Sequence, residues 1–321
     1  MAAGIMLLAV LAVSCVKNDV EPMGDAGQTI IKLNPVSEDG FFLKVAEPSN
    51  QPQTFVLLDI RRDTPNEAAL QASTTVVMTF NLGVLTAYNT ENGTLFIPIP
   101  EADYSTSPAA VGGNITITFA PGEFAKVVSL TIPNAFNLDP ANQYAMGYVM
   151  SISAGPGILS TTSQDSLVVQ VLPKNLYDGI YEVTAVTPML DVTSATLTGF
   201  YPFEYALVTT GAHTVDCFEA SRMSARHPIY SGTSESYYGS FAPQLEFSAD
   251  GLGTIVNMTN YYGNPAPNTR GCLMDDSQTW TWDPVTKDIR VKYYMTMSSA
   301  VPDPPYIRTH FDELWTYVGP R

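Results

Sequence analysis

The chain has 321 residues, enough for two domains that each bury a core. Charged residues make up only 14%, against about 25% in an average soluble domain, and the formal net charge is -16. Such a chain repels phosphate backbones and anionic lipid headgroups, which argues against nucleic-acid binding and against electrostatic attachment to membranes. A surface with so few charges must be rich in Thr, Ser, Asn and Gln, which suit hydrogen bonding to neutral polar ligands.

Ile5 to Val13 is almost unbroken apolar sequence, followed by Ala12-Val13-Ser14-Cys15. The run is shorter than the ~20 residues a membrane-spanning helix needs, so it reads as a cleavable signal over residues 1–14. Small residues ending in a cysteine are the pattern of a bacterial lipoprotein signal, with Cys15 as the lipid attachment site. No Lys or Arg precedes Cys15, a departure from the usual basic start. Residues 15–27 are polar, partly acidic and Gly-containing, and read as a flexible tether. The expected location is the outer membrane, lipid-anchored and facing the exterior.

From residue 28 to 173 the sequence predicts short β-branched and aromatic strands: Thr29–Leu33, Phe41–Val45, Gln53–Arg61, Thr74–Asn81, Leu95–Ile99, Asn114–Phe119, Lys126–Ile132, Tyr144–Ile152 and Ser166–Val171. Turns are expected at Asn92-Gly93, Gly112-Gly113, Pro121-Gly122 and Gly155-Pro156-Gly157. The pattern predicts an antiparallel sandwich with no amphipathic helix and at most one helical turn at Glu67–Ala72. Arg61-Arg62-Asp63 reads as a solvated strand end.

A break falls at Leu172-Pro173-Lys174-Asn175. Over residues 174–321 the predicted strands are Ile180–Thr187, Glu204–Thr210, Thr214–Phe218, Gln244–Phe247, Gly253–Met258, Thr279–Trp282, Asp288–Met297 and Thr309–Tyr317. Turns at Ser248-Ala249-Asp250-Gly251 and Asp283–Lys287 make hairpins. Successive hairpins without crossover helices suggest a meander, and closing it into a barrel removes the exposed edges.

Asn142-Gln143-Tyr144-Ala145-Met146-Gly147-Tyr148, with the lipid box and a sandwich from Thr29, resembles the uncharacterised N-terminal domain of Bacteroidetes surface lipoproteins, which also precedes some glycosidase modules. Asp178-Gly179-Ile180-Tyr181-Glu182-Val183 and Phe311-Asp312-Glu313-Leu314-Trp315-Thr316-Tyr317 resemble the lipocalin-like C-terminal domain often paired with it. The resemblance implies an all-β protein, an immunoglobulin-like β-sandwich followed by a lipocalin-like β-barrel. It further implies a surface protein of a polysaccharide-utilisation system, with a transporter component as a partner.

Catalytic signatures are missing. His213, His227 and His310 form no closely spaced pair, and each reads as a surface strand or loop residue. There is no G-x-S-x-G, H-E-x-x-H or Gly-rich phosphate loop. Asp275-Asp276 and Asp312-Glu313 are adjacent carboxylates, which a strand turns to opposite faces. The expectation is a non-enzyme without cofactor or metal. Cys217 and Cys272 leave two readings open, a single disulfide or two buried thiols.

The best site candidates are aromatic. Tyr237 and Tyr238 in Ser234–Gly239, and Tyr261 and Tyr262 in Asn260–Pro265, read as loop residues beside hydrogen-bonding partners. Trp280 and Trp282 share one face of a strand, which favours core but also suits a sugar-binding platform. Glu313 is an oddity among core aromatics, suited to a polar cavity or an open barrel end. The functional expectation is glycan binding by the second domain, with the first as a spacer. Adhesion to a protein partner and carriage of a small apolar ligand inside the barrel are the alternatives.

Overall fold

The computed structural model describes residues 27–34, 40–160, 165–264 and 270–321. The predicted signal peptide, Cys15 and nearly all of the tether lie outside the described residues.

Up to Pro173, strand alternation builds two sheets that share one hydrophobic cluster. One sheet runs in the order Ile158–Leu159, Ile30–Leu33, Gln53–Asp63, Ala125–Ile132, Ser105–Ser107. The other runs Phe41–Ala46, Ser166–Pro173, Tyr144–Ala154, Thr74–Phe80, Asn114–Phe119. In Asn114–Phe119 the period-two pattern turns Ile115, Ile117 and Phe119 inward. Ile60, Val128 and Leu130 of the first sheet and Met78, Met146 and Val169 of the second belong to the same cluster. The sheets are not purely antiparallel as expected: Phe41–Ala46 pairs parallel with Ser166–Pro173, and Ile30–Leu33 with Ile158–Leu159.

A helix over Leu82–Asn92 also departs from the expectation. Its sequence carries no clear apolar stripe and buries only Leu85, so periodicity could not reveal it. Its ends are nonetheless well marked. The Asn81 side chain accepts from the Gly83 N–H at 2.8 Å, and Gly93 stops the helix with φ 66°. The Asn92-Gly93 signal thus ends a helix rather than making a hairpin. The helix sits close on the strand Tyr144–Ala154 because Gly147 has no side chain; a Cβ there would lie 2.7 Å from the Asn81 carbonyl oxygen. Arg62 is not solvated either. It is buried, and its guanidinium donates to the carbonyls of Leu70, Ala72, Ala120 and Glu123, tying two loops to the strand end.

The second half is an eight-stranded closed barrel. Its strands follow chain order: Gly179–Ala185, Phe203–Thr209, Thr214–Glu219, Pro243–Phe247, Thr254–Asn260, Trp280–Trp282, Ile289–Met297 and Ile307–Gly319. The last strand closes the ring by pairing with both Ile289–Met297 and Gly179–Ala185. Leu197–Gly199, His227–Ser231 and Ser234–Tyr238 form a separate small sheet whose Ile229 and Tyr238 join the barrel core. The segment Ser234–Gly239, expected as a loop, is therefore largely strand.

Side chains fill the barrel. Tyr181, Tyr205, Tyr293, Phe311 and Trp315 are fully buried inside it, so the space that carriage of a small apolar ligand needs is taken. Glu313 lies among them at 0% exposure. Its carboxylate accepts from Tyr201 Oη at 2.5 Å, Trp315 Nε1 at 2.8 Å and Tyr293 Oη at 2.9 Å, and meets His227 Nε2 at 3.0 Å. Burial and the nearby carboxylate push the Tyr201 and Tyr293 hydroxyls far above their ordinary range, so both stay protonated as donors. His227 is likewise fully buried, contrary to its reading as a surface residue. Its Nδ1 faces the Pro228 carbonyl at 2.9 Å, which can only accept, so Nδ1 carries a hydrogen.

Pro173, Lys174 and Asn175 at the predicted break are buried. Lys174 Nζ lies 2.8 Å from Glu47 of the two-sheet half and 3.4 Å from Asp178 of the barrel, and Arg321 Nε lies 3.0 Å from Asp178. Cys217 and Cys272 stand as two buried free thiols in the barrel core, not as a bridge. Burial pushes both well above the ordinary thiol range.

Replacing Glu313 with Leu strands four polar groups in a dry interior. The expected cost is about 3–5 kcal/mol, read as a fall in the urea midpoint of the barrel transition. A second expectation concerns Asp275, buried beside Ser277, Tyr294 and Lys292. Burial raises its carboxyl, but bonds from Ser277, Tyr294 and Lys292 outweigh this and hold it well below the ordinary 3.8. Its stabilisation is therefore full above pH 3.8 and is lost as pH falls below that value. The advantage of the wild-type chain over Asp275→Asn in urea melts should shrink on acidification; a difference that is flat or grows toward low pH would contradict this.

Candidate functional site

The small sheet packed onto the barrel core creates a cleft of about 670 Å³. It lies between the start of the strand Phe203–Thr209, the turn after Glu219 and the strand Ser234–Tyr238. Alternation along Ser234–Tyr238 turns Tyr238 inward and leaves Glu235 and Tyr237 facing outward. Phe200 and Tyr237 supply aromatic surface, Glu204, Glu219 and Glu235 supply carboxylates, and Arg222 and Arg226 supply guanidinium groups. Pro228, whose carbonyl holds His227, also lines the cleft, so its floor rests on the Glu313 cluster.

Backbone bonds shape the turn. The Glu219 N–H donates to Ser224 O at 2.9 Å, and the Ala220 N–H to Glu204 O at 2.8 Å. This draws the Glu219 carboxylate inward, where it is buried and grips Arg226 through Nε at 3.1 Å and Nη2 at 2.8 Å. Held in this way, the Arg226 guanidinium lies over the Tyr237 ring, 4.8 Å from its centre. Arg222 is looser. It lies 3.8 Å from Glu219 and 3.7 Å from Glu235, with more than half of its side chain exposed.

The predicted aromatic residues divide. Tyr237 lines the cleft and is 52% exposed. Tyr261 and Tyr262 are also accessible, and Tyr262 Oη donates to the Ala225 carbonyl at 2.8 Å, so their loop leans on the turn that forms the cleft. Tyr261 meets Phe218 edge-on at 5.5 Å. The other three are structural. Tyr238 is buried and donates to Asp191 at 2.6 Å. Trp280 and Trp282 are each 3% exposed, and their shared strand face makes barrel core rather than a platform. Trp280 Nε1 donates to the Asp275 carbonyl, and Trp282 meets Tyr177 edge-on at 5.2 Å.

Sequence reading missed Phe200, Glu204, Glu219, Arg222 and Arg226, and caught Glu235 only as a polar neighbour of Tyr237. A signal was present in Glu219–Arg226, where three charges fall within eight residues of a charge-poor chain. Among the described residues no group of His, Cys, Asp and Glu is arranged to hold a metal ion. No described helix is long and apolar enough to cross a membrane.

No protein-family model matches the chain, and neither does any curated protein. Several solved structures align along most of its length. A Bacteroides ovatus protein of unknown function is 10% identical with a TM-score of 0.47, covering 91% of this chain and 95% of that one. A multidomain protein including DUF1735, also from Bacteroides ovatus, is 12% identical with a TM-score of 0.39, covering 89% and 92%. An auxiliary nutrient binding protein from Bacteroides thetaiotaomicron is 12% identical with a TM-score of 0.39, covering 87% and 92%.

The division of the aromatics is testable. Trp282→Ala should destabilise the barrel by about 3–5 kcal/mol by leaving a cavity. Tyr237→Ala should shift the urea midpoint by under about 0.5 kcal/mol equivalent, as expected of an outward side chain.

Proposed function

We propose that this chain is a non-catalytic glycan-binding protein and that the cleft beside the barrel is its binding site. The observation that carries this reading is the union of a half-exposed ring at Tyr237 with carboxylates and guanidinium groups on one concave surface. Sugars present flat C–H faces that pack on aromatic rings, and hydroxyls that need charged or polar partners. The cleft offers both within a volume suited to a small ligand. Arg226 further fixes the Tyr237 ring, which lowers the entropy lost when a ligand packs on it.

In this reading the two-sheet domain is an immunoglobulin-like spacer and the barrel a lipocalin-like binder. The chain is held to the outer membrane by a lipid on Cys15 and works beside a transporter component in polysaccharide utilisation. The apolar run before Cys15 and the acidic, charge-poor composition support this placement.

Affinity electrophoresis of the full chain against plant, host and microbial polysaccharides tests the binding. The expected outcome is retardation by at least one of them, weakened about tenfold or more by Tyr237→Ala. Absence of retardation across the panel would remove the reading. For the anchor, Cys15→Ala should move the protein from the membrane to the soluble fraction, and continued membrane retention would refute attachment there.

A further inference from the structure

We infer that the cleft accepts neutral, hydroxyl-bearing saccharides and rejects anionic ones such as uronate-rich or sulfated glycans. This rests on the glycan-binding reading and narrows it to a chemical class. Glu204, Glu219 and Glu235 face only Arg222 and Arg226 along the lining, so the cleft carries an excess of negative charge.

Neither arginine is free to reverse that balance. Arg226 commits Nε and Nη2 to Glu219 and its flat face to Tyr237, so the fork that would clasp a ligand carboxylate is already occupied. Arg222 lies between Glu219 and Glu235, and an incoming anion would have to compete with both carboxylates for it. Glu204 stands exposed on the lining, turned out from the buried Phe203 and Tyr205 of its strand. Ionised carboxylates can only accept hydrogen bonds. A ligand satisfies them by donating, which sugar hydroxyls do and which carboxylate or sulfate groups cannot. The chain's net charge of -16 adds a longer-range barrier to polyanions.

The test pairs neutral and anionic polymers in affinity electrophoresis with the full chain: glucan, mannan and xylan against polygalacturonate, alginate and chondroitin sulfate. The expected result is retardation by one or more neutral polymers and by none of the anionic ones. That retardation should fall about tenfold or more in Tyr237→Ala and change little between about 50 and about 500 mM salt, because no counter-charge is being screened. The double variant Glu204→Gln/Glu235→Gln should shift the ratio of anionic to neutral retardation by about tenfold or more toward the anionic polymer. Retardation of the wild-type chain by an anionic polymer, lost in Tyr237→Ala, would overturn the inference while leaving glycan binding in place. Neutral retardation untouched by Tyr237→Ala would overturn the assignment to this cleft. No retardation by any polymer would overturn the underlying reading as well.

Discussion

A buried carboxylate is costly unless nearly all of its acceptor capacity is used, and the barrel is arranged around meeting that demand at Glu313. Its partners come from four places: Tyr201 ahead of the second barrel strand, His227 in the small sheet, Tyr293 on the neighbouring strand and Trp315 two residues along its own. None can move far without leaving the carboxylate short of a donor. One side chain therefore ties together the closing strand, its seam with Ile289–Met297 and the small sheet over the barrel.

The cleft inherits that rigidity. His227 is held from both sides, by Glu313 inside the barrel and by the Pro228 carbonyl at the cleft floor. Above that floor the Glu219 turn repeats the arrangement at smaller scale, with a buried carboxylate locking Arg226, and Arg226 in turn lying over Tyr237. The shape of the cleft is thus held by buried ion pairs and hydrogen bonds rather than by loose side chains.

Much of the fold was legible because strands announce themselves by alternation. The eight strands predicted for the second half are the eight that form the barrel, and Asn114–Phe119 in the first half matches residue for residue. The helix Leu82–Asn92 escaped because it buries only Leu85, and a helix without an apolar stripe has no period to detect. Arg62 and His227 were misread for a related reason. Their burial depends on acceptors distant in sequence, the carbonyls of Ala120 and Glu123 for one and Glu313 for the other. The site was half legible. Period two placed Trp280 and Trp282 on one face and favoured core for it, which is where both lie. Tyr237 was found by composition, whereas its charged neighbours become a site only when the turn at Glu219 folds back on Glu204.

The distribution of tryptophan has a spectroscopic consequence. All three, Trp280, Trp282 and Trp315, lie in the barrel core, and the two-sheet half has none. Indole emission is therefore a private reporter of the barrel, blue-shifted while the barrel stands and silent about the two-sheet half, whereas far-ultraviolet ellipticity sums both. The separation between those two signals during denaturation measures how strongly the Lys174 contacts make the two halves melt as one cooperative unit.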